Sequence, residues 1–130
     1  MKKSSIIITI SIIVIILIIA TFYYTKTEKN KKLLTSVQDK IIFFYGEGCP
    51  HCLNVEKFVQ DNNVESKVQF DKKEVWGDKQ NAYLMTLVAT KKCNLPENEL
   101  GVPFLWYGPD SKCFLGDQSI IDFFKQKIGI

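Results

Sequence analysis

Between Lys3 and Lys26 the chain carries no charge, and Ile6–Ala20 is almost entirely aliphatic. Residues 4–25 as a helix extend roughly 33 Å at about 1.5 Å per residue, against a hydrocarbon core of ~30 Å. In lipid the backbone has no alternative to internal hydrogen bonds, so even an Ile-rich run must be helical there. Phe22, Tyr23 and Tyr24 close the stretch where an interfacial aromatic belt belongs. Residues 1–25 therefore read as a single membrane anchor. The competing reading is a cleaved signal segment, which wants small residues one and three positions before the cut. Ala20 is preceded at that spacing by Ile18, and Thr25 by Tyr23, so both fit poorly. The expectation is an uncleaved single-pass anchor in the cell membrane, with secretion after cleavage as the alternative. Lysines flank both ends, so charge counting alone does not orient the helix. A short basic N-terminus, here Lys2 and Lys3, usually stays in the cytoplasm, which places the remainder outside.

The net charge of +3 is unevenly distributed. Residues 26–40 hold five lysines against Glu28 and Asp39, whereas residues 41–130 hold ten lysines against twelve acids. The basic excess thus lies outside the expected folded part, which argues against a nucleic-acid partner. The chain has no Arg, so bidentate phosphate clamps are missing as well.

Residues 26–40 read as a basic tether or short helix, and residues 41–130 as one small domain. Ile41–Tyr45 is a continuous apolar run, as in a strand buried on both faces. Gly46 and Gly48 break it, and a helix follows with Pro50 in its first turn and Cys52, Val55 and Val59 at helical spacing. Asp61-Asn62-Asn63 ends that helix, and Val68 and Phe70 alternate with polar residues as a second strand. Asp78–Lys92 is predicted helical, Val102–Tyr107 a strand, Gly108-Pro109-Asp110 a turn and Cys113–Leu115 its hairpin partner. Asp117 or Ser119 then caps a helix bearing Ile120, Ile121, Phe124 and Ile128. The order β-α-β-α-β-β-α implies an α/β fold, a mixed sheet with helices on its faces.

The chemistry concentrates in Cys49-Pro50-His51-Cys52. Cysteines at i and i+3 in a first helical turn share one face, near enough to form a disulfide. Cys49 sits at the helix N-terminus, where free N–H groups and the macrodipole favour a thiolate, the attacking species in exchange. A protonated His51 would add to that stabilisation, and Pro50 stiffens the turn. Cys52, one turn in, is the expected resolving thiol. So small a ring makes a poor structural staple. A zinc site wants a second ligand pair, and His51 is the only histidine. Redox exchange is the preferred reading, with no metal; a binding module or metal carrier that uses the same cysteines without turnover is the alternative.

Strand, Cys-x-x-Cys helix, strand, helix and then Gly101-Val102-Pro103 opening a hairpin resembles the thioredoxin superfamily across residues 41–130. The resemblance implies a cis Pro103 packed against the dithiol, with the Val102 backbone pairing with a substrate strand. The Cys-Pro-His-Cys wording resembles the DsbA branch, as do Val102 before the proline and Glu56 seven residues after Cys49. The family's usual carboxylate six residues before the first cysteine is replaced by Phe43, so proton transfer to Cys52 must use Glu47, Glu56 or a water. Its usual aromatic before that cysteine is replaced by Gly48, which should leave Cys49 more exposed. In size the domain is closer to glutaredoxin, and Gly116-Asp117 is similar to that family's glutathione-binding turn. The resemblance implies a protein thiol–disulfide oxidoreductase without a cofactor, the dithiol itself carrying two electrons. Its partners would be cysteine-containing exported proteins and a second redox protein that resets the dithiol.

Cys93 and Cys113 admit three readings: a second disulfide, two buried free thiols, or a redox relay. In the simplest topology they lie at opposite edges, which argues against pairing. The family-like layout and an exported location argue for it. Trp76 and Trp106 read as packing residues before substrate contacts.

Overall fold

The computed structural model describes residues 2–130, with side chains from Ile6 onward. Met1 of the expected anchor lies outside the described residues, as do the side chains of Lys2 and Lys3, on which the expected orientation rests. The chain divides into residues up to Thr35 and a compact unit from Ser36 to Ile130.

The first unit is one helix, α1 (Lys2–Thr35). It is long and apolar enough to cross a membrane, and none of that apolar stretch is buried by protein. Its few hydroxyls turn inward: Thr9 donates to the Ile6 carbonyl at 2.8 Å, Ser11 to Ile7 at 3.0 Å and Thr21 to Ile18 at 2.8 Å. A hydroxyl satisfied by its own helix can sit in hydrocarbon without a water partner. The helix runs on past residue 25, through most of the stretch expected as tether.

The compact unit contains β1 (Ile41–Tyr45), α2 (Pro50–Asp61), β2 (Asp71–Glu74), α3 (Lys79–Lys92), β3 (Phe104–Tyr107), β4 (Lys112–Leu115) and α4 (Asp117–Ile128). The sheet order is β2-β1-β3-β4. β1 pairs parallel with β2 and antiparallel with β3, and β3 pairs antiparallel with β4. This is the expected β-α-β-α-β-β-α order, an α/β fold with a mixed sheet and helices on its faces.

The sheet is covered on both faces. Phe43 and its cross-strand partner Leu105 point into a cluster with Val55 and Val59 of α2 and Ile120, Phe123 and Phe124 of α4. By the alternation of strands, Ile42, Phe44, Phe104 and Trp106 point the other way. α3 begins beside β2, where Asn81 Nδ2 donates to the Glu74 carbonyl at 2.9 Å, and ends at Cys93, 6.2 Å from Cys113 between Cα atoms. It therefore crosses the whole sheet, burying Leu84, Leu87 and Val88.

The second strand is Asp71–Glu74, not Val68–Phe70. Val68 N–H is engaged by the Val64 carbonyl at 2.8 Å, and the Phe70 ring packs on Phe124 at 4.9 Å between centroids. Those apolar residues pin the approach to the strand, while the strand itself lies at a sheet edge that tolerates charge. β3 begins at Phe104, two residues after the expected start, since Pro103 has no N–H to give the ladder. Gly116 occupies the cap position of α4, and Asp117 is its first helical residue.

Residues 36–40 pack with the compact unit. Val37 is buried, its carbonyl accepts the indole N–H of Trp106 at 2.8 Å, and Gly108 N–H donates to the Lys40 carbonyl at 2.8 Å. Gly108 must lack a side chain because a Cβ there would run into the Gln38 backbone.

Candidate active site

β1 ends at Tyr45, and after three intervening residues the chain enters α2 through Cys49, the N-cap residue. Gly48 adopts φ +76°, a left-handed conformation that glycine reaches without steric cost. Cys49 N–H donates to the Gly46 carbonyl at 3.1 Å, and Pro50 begins the helix, where a missing N–H costs nothing.

The cap is a sulfur. Cys49 Sγ accepts the Cys52 N–H at 3.3 Å and faces Cys52 Sγ at 2.6 Å. Across the gap it lies 3.9 Å from the Val102 carbonyl, which precedes the cis Val102–Pro103 bond. The expected exposure of Cys49 does not hold: it is 5% exposed, against 1% for Cys52. Gly48 does open the space above the loop, but Val102 and the N-terminal turn of α2 close around the sulfur.

The two thiols differ electrostatically. Burial, first, and then hydrogen bonding to Cys49 push the Cys52 thiol up to about 12, with the Cys49 and Glu56 charges adding to the effect and a backbone contact at Gly46 opposing it. Cys52 is therefore a proton-holding donor at neutral pH, and Cys49 is the sulfur toward which an N–H and an S–H both point. In chemical terms this pair can attack through one sulfur and resolve through the other.

Glu56 lies one turn beyond Cys52, close enough for its charge to act on that thiol, and pairs with Lys72 of β2 at 2.7 Å. Phe43, where a carboxylate was wanting, is fully buried and stacks on Tyr45. Glu47 contributes its backbone N–H, which reaches Glu74 Oε1 at 3.4 Å.

His51 points to α4. Its Nδ1 lies 3.0 Å from Asp117 Oδ2, and Asn54 Nδ2 donates to the same oxygen at 2.7 Å. Those two bonds, in the order Asn54 then His51, hold the Asp117 carboxyl down at about 2 against an opposing desolvation. Asp117 was legible only as a cap or turn residue, and Asn54 not at all, although His51 and Asn54 at i and i+3 must share a helix face.

Glu74 had no sequence signal. Its carboxylate accepts N–H groups from Trp76 at 2.7 Å, Gly77 at 2.8 Å, Asp78 at 3.2 Å and Glu47 at 3.4 Å. Desolvation pulls its pKa up, but the four amides outweigh that and leave it below the usual glutamate range. The carboxylate thereby joins the loop before Cys49 to the loop after β2. On this second loop Trp76 stands 62% exposed.

Cys93 and Cys113 are at disulfide-bonding distance. Cross-strand register puts Cys113 on the same sheet face as Trp106, the face α3 crosses, which removes the separation expected from the simplest topology. Among the described residues no group of three or more His, Cys, Asp or Glu side chains is placed to hold a metal ion.

Sheet order and the two facing thiols at the first turn of α2 define an α/β domain with a dithiol at a helix N-terminus. No protein-family model and no curated protein sequence matches the chain. Among solved structures, the crystal structure of a buckwheat glutaredoxin–glutathione complex is similar, with 17% sequence identity, a TM-score of 0.48 and coverage of 78% of this chain and 86% of that one.

Proposed function

We propose that the protein is a membrane-anchored thiol–disulfide oxidoreductase that exchanges disulfides with exported proteins. The observation that carries this reading is the asymmetry of the dithiol: Cys49 caps a helix and receives two hydrogen-bond donors, while Cys52 is buried and held protonated.

In the reducing direction, the Cys49 thiolate attacks one sulfur of a substrate disulfide and the other sulfur leaves as a thiolate. Cys52 then gives up its proton and attacks Cys49 Sγ, expelling the second substrate thiolate and closing the Cys49–Cys52 bond. Two electrons pass from the dithiol to the substrate, and the two leaving thiolates take up protons. The oxidising direction is the same sequence reversed. The potential of a separate redox partner sets the direction, since no cofactor is required. Glu56 is the nearby carboxylate suited to receive the Cys52 proton. Val102 and Pro103, across from Cys49, form the docking side for the substrate backbone.

An extracytoplasmic domain is supported by the basic residues before the apolar helix and by the proximity of Cys93 and Cys113, since disulfides persist in oxidising compartments. Labelling of cysteines on intact cells with a membrane-impermeant reagent, after reduction, tests this. Reaction of Cys49 without lysis supports it; protection until lysis places the dithiol in the cytoplasm.

The exchange reading is tested by trapping. Cys52→Ser should accumulate mixed disulfides through Cys49, and Cys49→Ser should not. If neither variant traps a partner and both lose stoichiometric zinc or copper, the protein is a metal carrier.

A further inference from the structure

We propose that Trp76 selects the substrate, its indole serving as a fixed platform for an apolar or aromatic side chain next to the substrate's reacting cysteine. This rests on the reading of Cys49–Cys52 as an exchange centre.

Three observations lead there. The first is exposure: Trp76 is 62% exposed, whereas Trp106 is completely buried. One exposed apolar residue is ordinary by itself; Trp76 differs because its exposure coincides with fixation and with nearness to Cys49. The second is fixation. Trp76 N–H donates to Glu74 Oε1 at 2.7 Å, and the same carboxylate holds Gly77, Asp78 and, from the other loop, Glu47. The ring itself lies against Gly46, so closely that a Cβ there would run into it. An aromatic group held in place before binding loses little conformational freedom when a ligand stacks on it.

The third is location. The Gly46 carbonyl accepts the Cys49 N–H at 3.1 Å, so the residue under the indole is bonded directly to the N-cap cysteine. Beside it, Gly48 presents no side chain, and a Cβ there would meet nothing within 4 Å, which leaves the approach open. Leu53, immediately after Cys52, is 52% exposed, so apolar surface flanks both ends of the Cys49–Cys52 turn. The matching ligand is an extended segment with an apolar residue beside its cysteine, as in a chain that has not yet buried its core.

The test uses the full-length reduced protein in detergent and three disulfide-bonded peptides that differ only in having Phe, Ser or Lys next to the half-cystine. Single-turnover rates of peptide reduction are compared as ratios, so that any general loss in a variant cancels. The wild type should prefer the Phe peptide over the Ser peptide by about three- to tenfold, the range of one aromatic contact. Trp76→Ala should bring that ratio close to one, and Trp76→Phe should retain most of it. A ratio unchanged in Trp76→Ala, even with all rates lowered alike, reduces Trp76 to loop support and overturns the proposal. A wild-type preference for the Lys peptide overturns the apolar assignment. A wild type that exchanges with excess glutathione disulfide but shows no preference overturns the role of Trp76 alone, whereas one inert even to glutathione disulfide overturns the exchange reading with it.

Discussion

His51 and Asp117, on different helices and 66 residues apart, meet at 3.0 Å through Nδ1 and Oδ2. The contact ties the residue between the two cysteines to the start of α4. It also places an anion behind the imidazole, so any positive charge that His51 offers the dithiol is partly cancelled. His51→Ala should make the couple less oxidising and Asp117→Asn more oxidising. Each change should be roughly threefold in the equilibrium constant with glutathione, as for one charge acting through water over several ångströms. Equal potentials in all three proteins would mean that the helix terminus alone sets reactivity.

Asp117 also carries a pH signature. Its folded pKa of about 2 lies below the ordinary 3.8, so its contribution to stability is complete above the unfolded value and is lost as pH falls through the folded one. Chemical denaturation between roughly pH 5 and pH 2 should show a steeper acid loss in the wild type than in Asp117→Asn. Parallel curves would show that Asp117 gains nothing from Asn54 and His51.

Glu74 should govern the order of two loops at once. Glu74→Gln keeps one acceptor oxygen where four N–H groups converge, so amides of Glu47, Trp76, Gly77 and Asp78 should exchange faster with deuterium than in the wild type at the same pH. Because the folded pKa is depressed, acid should weaken the wild-type clip as Glu74 protonates below its ordinary value. Protection unchanged in the variant would assign the loop's order to packing alone.

Trp106 is the largest fully buried side chain, and its N–H is spent on the Val37 carbonyl. Trp106→Phe removes volume and strands that carbonyl, at an expected cost of about 2–4 kcal/mol in urea denaturation. A cost near zero would show that residues 36–40 detach without consequence.

If Cys93 and Cys113 form a disulfide, the closed loop of 20 residues should contribute about 3 kcal/mol. Replacing both by Ala should lower stability by that amount, and alkylation of the unfolded, unreduced Cys49→Ser/Cys52→Ser protein should leave both sulfurs unmodified. Two alkylated cysteines would identify free thiols.

Much of this architecture is legible from apolar spacing. Ile41–Tyr45 has the run of a buried strand, and Cys52, Val55 and Val59 mark one face of a helix. β2 escapes because an edge strand needs no apolar side chains, while Val68 and Phe70 nearby imitate the alternation of one. Cys49 and Cys52 announce themselves by spacing. Glu74, Asn54 and Asp117 do not, since each acts through partners that only the folded chain brings near. The Cys93–Cys113 proximity depends on α3 crossing the sheet from β2 to β4, a direction that no local pattern encodes.

The outer strand Asp71-Lys72-Lys73-Glu74 has a consequence for how the domain meets extended chains. An open sheet edge is a template on which any extended segment can polymerise. Here every side chain along that rim is ionisable, and Lys72 and Glu74 are already committed to Glu56 and to the loop amides. A visiting strand would have to strip water from four consecutive charged side chains in register with its own backbone. The rim thus acts as a fence: an extended segment is turned away from this edge of the sheet, which would otherwise accept one strand after another.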